Sequence, residues 1–197
     1  MKILSFDVGI KNLSYCYLES TGDNTTKILH WDNLCVTDKN CTKISLDELT
    51  PCVLSTLLEH FDDSFSADIV LIENQPMLKN GLMKTVAVLI YSFFNLSKLQ
   101  FGNYNEIKFI SATNKLKCRK VPKESDVKSY KNRKKLSVEI SRAYIGDISA
   151  ERLEWFDSHK KADDISDSLL QGIYYIEFVL KHVVATPVVA ATAPIQT

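Results

Sequence analysis

The stretch ILSFDVGIKNLSYCYLE, residues 3–19, constrains this chain most, because it sets a carboxylate inside an apolar β pattern. Ile3 to Val8 reads as a strand of β-branched and aromatic residues with one charge among them. Gly9 to Asn12 is a tight connection, and Leu13 to Leu18 resumes as a second strand. A carboxylate buried without a partner costs several kcal/mol, so Asp7 needs a counter-charge or a shifted pKa. Lys11 is the basic residue nearest to it in sequence. A metal ion accounts for the carboxylate more cheaply, with Gly9 leaving room for a phosphate to approach the backbone. The blander reading is an Asp that caps a hairpin turn.

The rest of the chain alternates strands and helices. Lys27 to Val36 follows the turn Thr21-Gly22-Asp23-Asn24 as a third strand, and Ser45 or Asp47 can cap a helix from Leu46 to Phe61. Ala67 to Glu73 (ADIVLIE) is almost wholly apolar, as a central parallel strand covered on both faces should be, and Pro76 ends it. Lys79 to Lys98 is a helix with an interior apolar nearly all round, a pattern that belongs in a core or an oligomer interface. Ile107 to Ile110 is a further strand. A helix over Tyr130–Tyr144 follows, then a connection over Gly146–His159, then an amphipathic helix over Ala162–His182. Residues 1–182 are expected to form one α/β domain, with 183–197 a disordered tail.

Zero net charge argues at first against a nucleic-acid partner, but its distribution argues for one. Residues 115–135 carry ten Lys/Arg against Glu124 and Asp126, a local net of +8 over 21 residues. A charge run is usually a solvated face; one this lopsided marks contact with a polyanion. Five irregularly spaced cysteines, with no CxxC pair or Cys/His cluster, argue against a zinc site and for free thiols in a reducing, intracellular compartment. No transmembrane segment or secretory leader is expected, and so no membrane partner.

Three acidic positions stand out: Asp7 on the first strand, Glu73 at the carboxyl end of a central strand, and the triple Asp163, Asp164 and Asp167 opening the last helix. Ligands of open α/β sheets gather outside the carboxyl ends of strands. Asp164 and Asp167 share a helix face at i, i+3, and Asp163 and Asp167 share one at i, i+4, so spacing leaves both pairs open. Acids favour helix N-termini for dipole reasons alone, but that explains neither Asp7 nor Glu73. Carboxylates converging on one site need cations, and Mg²⁺ with oxygen ligands fits. Two such ions about 3.5–4 Å apart would activate water and stabilise the leaving oxygen in phosphodiester hydrolysis.

FDVGIKNLSY, then LIENQP, then a lysine after a strand, then KKADDISDSLLQG together resemble the Holliday junction resolvases of poxviruses and related large DNA viruses. These are RuvC-like members of the RNase H superfamily, and the resemblance covers residues 1–182. It implies an RNase H-like fold, a mixed sheet flanked by helices, and a Mg²⁺-dependent nuclease (Mn²⁺ an alternative) that nicks four-way DNA junctions symmetrically as a homodimer. The family's metal-binding acids fall on Asp7, Glu73, Asp164 and Asp167. Its catalytic lysine falls on Lys115, with Lys117 a close competitor, to stabilise charge at the scissile phosphate. Lys79, Lys84, Lys117, Arg133, Lys134 and Lys135 are the candidates for phosphate contact. The apolar helix over Met83–Leu96 is the candidate dimer interface.

The same acids would serve a nuclease acting on RNA–DNA hybrids or other branched DNA. An actin- or hexokinase-like phosphate binder also opens with a DxG hairpin, but it needs two lobes and several Gly-rich loops, which six glycines in 197 residues do not supply. A non-catalytic DNA-binding module is disfavoured by the presence of all four acids.

Overall fold

The computed structural model describes residues 1–21, 25–39, 44–76, 81–122, 129–159 and 161–180. Its centre is a five-stranded sheet of β1 (Lys2–Asp7), β2 (Leu13–Ser20), β3 (Thr26–Leu34), β4 (Ala67–Glu73) and β5 (Tyr104–Ile110), in the order β3-β2-β1-β4-β5. β1, β2 and β3 form an antiparallel meander, while β4 and β5 run parallel to β1. The sheet is therefore mixed, as expected of an RNase H-like fold.

Alternation along the strands divides the core. Leu4 and Phe6 of β1 and Val70 and Ile72 of β4 face α1 (Leu46–His60) and α2 (Gly81–Phe101). Ile3 of β1 and Ile69 and Leu71 of β4 face α3 (Tyr130–Ile148), α4 (Ala150–Ser158) and α5 (Ala162–Tyr174). β4 is buried nearly throughout, which its unbroken apolar run requires. Of the two possible caps on α1, Ser45 serves: its side chain accepts from Glu48 N–H, and Glu48 accepts in return from Ser45 N–H, a reciprocal capping box.

Several expected boundaries differ. β5 begins at Tyr104, three residues early, because its first half is half-polar and on the sheet edge, where no apolar run reveals it. The stretch 146–159, expected to be a connection, is helical. α3 runs on to Ile148, and Ser149 both ends it and caps α4 by accepting from Arg152 N–H. A junction made by one serine, without Gly or Pro, leaves no break for pattern reading to find. The last helix turns π-helical over Tyr175–Leu180. Gly9 has a local role: a Cβ there would lie 2.3 Å from Asn12 O, so the hairpin turn itself requires glycine, and the room for a phosphate is not needed to explain it. Lys79 and the proposed tail lie outside the described residues.

Candidate active site

The period of two that buries Ile3 on the α5 side of the sheet carries Ser5 and Asp7 to that side as well. In β4 the same alternation sends Ile69, Leu71 and Glu73 there. Phe6 pairs with Ile72 in the parallel register, so Asp7 and Glu73 end adjacent strands level with one another. Their side chains are 19% and 10% exposed. Gln75 Nε2 donates to Glu73 Oε2 at 3.0 Å, so the polar ENQP sequence folds back on the carboxylate that precedes it.

α5 delivers the third carboxylate, and polar contacts fix its seat. Gln171 donates to Ser5 Oγ (3.0 Å) and to Phe6 O (3.2 Å), and Trp31 Nε1 donates to Ile165 O (3.0 Å). Ser14 and Ser168 share a hydrogen bond of 2.9 Å. Gly172 lets the helix approach the sheet, since a Cβ there would come 2.6 Å from Leu18 Cδ1. Held in this way, α5 turns Asp167 towards Asp7 and Glu73.

Between the three carboxylates lies Lys115, carried by a 3₁₀ segment (Ala112–Lys117) that follows β5. Its Nζ hydrogen-bonds Asp167 and stands 3.5 Å from Asp7 Oδ1 and 3.8 Å from Glu73 Oε1. Burial works against the ammonium, but the charges of Asp7, Asp167 and Glu73 outweigh it and hold the lysine's pKa above its ordinary value. Burial pushes the Asp7 carboxyl well above the ordinary range; Lys115 opposes that shift and neighbouring Glu73 adds to it. Burial likewise raises Asp167 to about 6 against the pull of Lys115. The partner that Asp7 needs thus comes from 108 residues away, not from exposed Lys11.

The remaining expected residues divide. Asp163 pairs with Lys134, and Asp164 lies 3.8 Å from the same ammonium, outside the ring around Lys115. Burial and the Asp163 charge raise the Asp164 pKa, against the pull of Lys134 and Lys161, with Asp7 adding a smaller push. Lys117 is exposed and donates to Asn114 Oδ1 at 2.9 Å, so of the two candidate lysines it is Lys115 that reaches the acids. Lys84 donates to Asn74 Oδ1 at 2.8 Å, just beyond Glu73. Arg133 lines a cleft of about 760 Å³ that also contains Glu73, Lys115 and Asp167. Lys135 faces Glu139 at 3.9 Å on the open surface and is absent from the cleft wall. Pattern reading passed over Ser137 and Tyr130, which also line the cleft; the basic run around them was the signal.

Asp7, Glu73 and Asp167 offer only oxygen donors, which suits a hard divalent cation. One ammonium among three carboxylates that are at most 23% exposed leaves the site short of positive charge, and the raised pKa values of Asp7 and Asp167 express that shortage. The donor chemistry therefore fits a metal. Among the described residues, no three acidic, His or Cys side chains already stand as a ligand cluster, because Lys115 lies between them.

Known structures share this arrangement of sheet and helices. The fowlpox virus resolvase, solved with Holliday junction DNA, superimposes with a TM-score of 0.63 at 24% identity, covering 91% of this chain and 99% of that one. The yeast mitochondrial Holliday junction resolvase gives a TM-score of 0.55 at 20% identity over 88% of this chain and 78% of its own. Thermus thermophilus RuvC, also in complex with a Holliday junction, gives 0.52 at 13% identity over 89% and 92%. These likenesses establish the fold. An uncharacterised protein of Acanthamoeba polyphaga mimivirus is 29% identical over 138 residues, 64% of this chain, and the chain spans about a third of that relative (33%). Residues 1–181 match the model of the poxvirus A22 protein, so the chain belongs to the poxvirus A22 protein family.

Proposed function

We propose that this nuclease resolves four-way DNA junctions by divalent-metal-dependent phosphodiester hydrolysis, with Asp7, Glu73, Asp164 and Asp167 as metal ligands and Lys115 as the charge-stabilising residue. The observation that carries this reading is the convergence of three carboxylates, one buried and two partly buried, on one partly buried lysine at the carboxyl ends of β1 and β4. Bound there, Mg²⁺ (or Mn²⁺) would supply an activated water and a Lewis acid for the leaving oxygen, and two ions suit four acids. Asp7 and Glu73, fixed by the sheet, would hold the metal in a constant place, and Asp167 would close the site from α5. Lys115 keeps its proton and presents a positive charge to the scissile phosphate, where charge accumulates in the transition state.

Lys117, Arg133 and Lys134 line the cleft with positive charge suited to phosphates on either side of the cut, and Lys84 adds another beside Asn74, next to Glu73. A homodimer would set two such sites on one junction and give symmetric nicks. The outer stripe of α2, with Val88, Leu96 and Leu99 exposed at 43%, 57% and 82%, supports that assembly. α2 is also long and apolar enough to cross a membrane by length and composition, but its inner face packs on β4, β5 and α1.

The test is cleavage of end-labelled synthetic four-way junctions beside matched linear duplex and RNA–DNA hybrid, with and without Mg²⁺. Asp7→Asn serves as the control. Paired symmetric nicks in the junction alone, lost without metal and in the variant, are expected. Cutting of the hybrid in preference would move the chain to ribonuclease chemistry, and metal-independent cutting would remove the proposed role of the acids.

A further inference from the structure

The cleft extends beyond the acids. Its wall continues from Glu73, Lys115 and Asp167 to Lys117, Arg133 and Tyr130. Tyr130, the first residue of α3, is 66% exposed. Among the described residues the exposed Phe, Tyr and Trp rings are Tyr130 and Phe101, and of these two Tyr130 lines the cleft. A large ring left in water at this position is not explained by packing.

Its position is controlled. Arg133 and Lys134, one helical turn further on, place their cationic groups 6.0 Å and 5.3 Å from the ring centroid. Lys134 is anchored in turn by Asp163 at the start of α5. The ring is thus tied to the helix that carries Asp167, with limited freedom to wander, while most of its surface remains open. A cleft of about 760 Å³ falls within the size range of sites that enclose a nucleotide-sized ligand.

The geometry points to Tyr130 as a stacking platform for an unpaired nucleobase beside the scissile phosphate, an assignment that rests on the nuclease reading above. Cations alone hold a backbone without distinguishing a paired from an unpaired strand. An exposed ring among them adds that distinction, because a base inside a duplex already stacks on its neighbours, whereas one at a branch point opens cheaply. Tyr130 would therefore favour DNA in which a base near the cut can leave its stack.

The experiment places 5-iodouracil at successive positions around the branch of a four-way junction, in metal-free buffer, and maps photocrosslinks by mass spectrometry. In parallel, Tyr130→Ala, Tyr130→Phe and Tyr130→Trp are compared with the parent for junction affinity, linear-duplex affinity and single-turnover cleavage. A crosslink on Tyr130 is expected. Tyr130→Ala should weaken junction binding by about 5- to 150-fold, the span one base–aromatic stack accounts for. Linear-duplex binding and the melting temperature should stay unchanged, and Phe and Trp should restore the junction preference. Parent-level binding and cutting by Tyr130→Ala would overturn the assignment alone, as would equal weakening of linear duplex. A parent protein that neither binds nor cuts junctions would overturn the nuclease reading and this assignment with it.

Discussion

Lys115 Nζ stands 3.5 Å from Asp7 Oδ1, a contact between residues 108 positions apart that ties the first strand to the segment following the last. With Glu73 and Asp167 on the same ammonium, one positive charge serves three carboxylates. The arrangement is stable enough to hold the acids together and still leaves them short of cation. Such a balance suits a site built for binding metal and a phosphodiester rather than for rigidity.

Lys115→Met keeps the length of the side chain and removes its charge. Taking away one member of a buried ion cluster costs about 3–5 kcal/mol when the rest stay charged. In metal-free buffer the variant should therefore unfold at lower urea than the parent, and saturating Mg²⁺ should recover a larger share of stability in the variant than in the parent. Single-turnover junction cleavage should fall by about 10²–10³-fold even with metal, the scale of losing one transition-state charge stabiliser. Equal urea midpoints for the two proteins without metal would remove Lys115 from the centre of the acids.

Asp167 gives the site a pH signature. Its carboxyl is raised to about 6 in the folded chain, chiefly by burial, so the native state holds the proton more tightly than the unfolded state does. Below pH about 4 both states are protonated and the residue carries no penalty; as pH rises towards 6 the folded state must bury a charge, and stability is lost. The shift corresponds to about 3 kcal/mol. The stability of the metal-free parent relative to Asp167→Asn should fall by roughly that amount between pH 4 and 6.5, read from denaturant melts. Saturating Mg²⁺, which favours the ionised carboxylates, should flatten the difference. A parent-to-variant gap that does not move with pH would place Asp167 in solvent.

Much of this was legible because the signals were local. The apolar, β-branched runs ILSFD and ADIVLIE announced both strands, and the alternation of side chains along a strand explains the shared face of Asp7 and Glu73. Ser45 or Asp47 announced the start of α1, and the structure seats the cap on Ser45. Two kinds of feature escaped. α4 hides behind Ser149, where one residue does the work of both caps. The partner of Asp7 is non-local: Lys11 lies four residues away and points to solvent, whereas Lys115 arrives through the parallel crossovers to β4 and β5, which no spacing encodes. Asp163 and Asp164 both stand beside Lys134, a residue of another helix, a pairing that spacing along α5 does not encode either.

Gly172 sets how closely α5 approaches the sheet. Leu18, whose Cδ1 would lie 2.6 Å from a new Cβ, is fully buried and has little room to turn away. Gly172→Ala should therefore move the helix, lower stability by about 1–3 kcal/mol, and carry Asp167 away from Asp7 and Glu73. Cleavage should then show a fall in kcat at nearly constant KM, since the basic cleft rim on α3, proposed to hold phosphates, is untouched. Thermal melts and junction cleavage read the two effects separately. An unchanged kcat in a folded variant would show that the site does not depend on the seat of α5.

The outer face of α2 makes the last prediction. Leu96 and Leu99, at 57% and 82% exposure, lie on the same side of the helix as Val88, away from the packed residues Val86, Ala87, Ile90, Phe93 and Phe94. Solvent-facing leucines left uncovered by the described residues are what a second copy would cover. Leu96→Glu with Leu99→Glu should leave the fold intact, since neither side chain contributes to the core, and should convert a dimer to a monomer in sedimentation velocity. Because the proposed site draws all its residues from one chain, the monomer should still nick a junction once, but the paired second nick should become slow and uncorrelated with the first. Retention of the parent's sedimentation coefficient and of paired nicking by the double variant would place the dimer contact elsewhere.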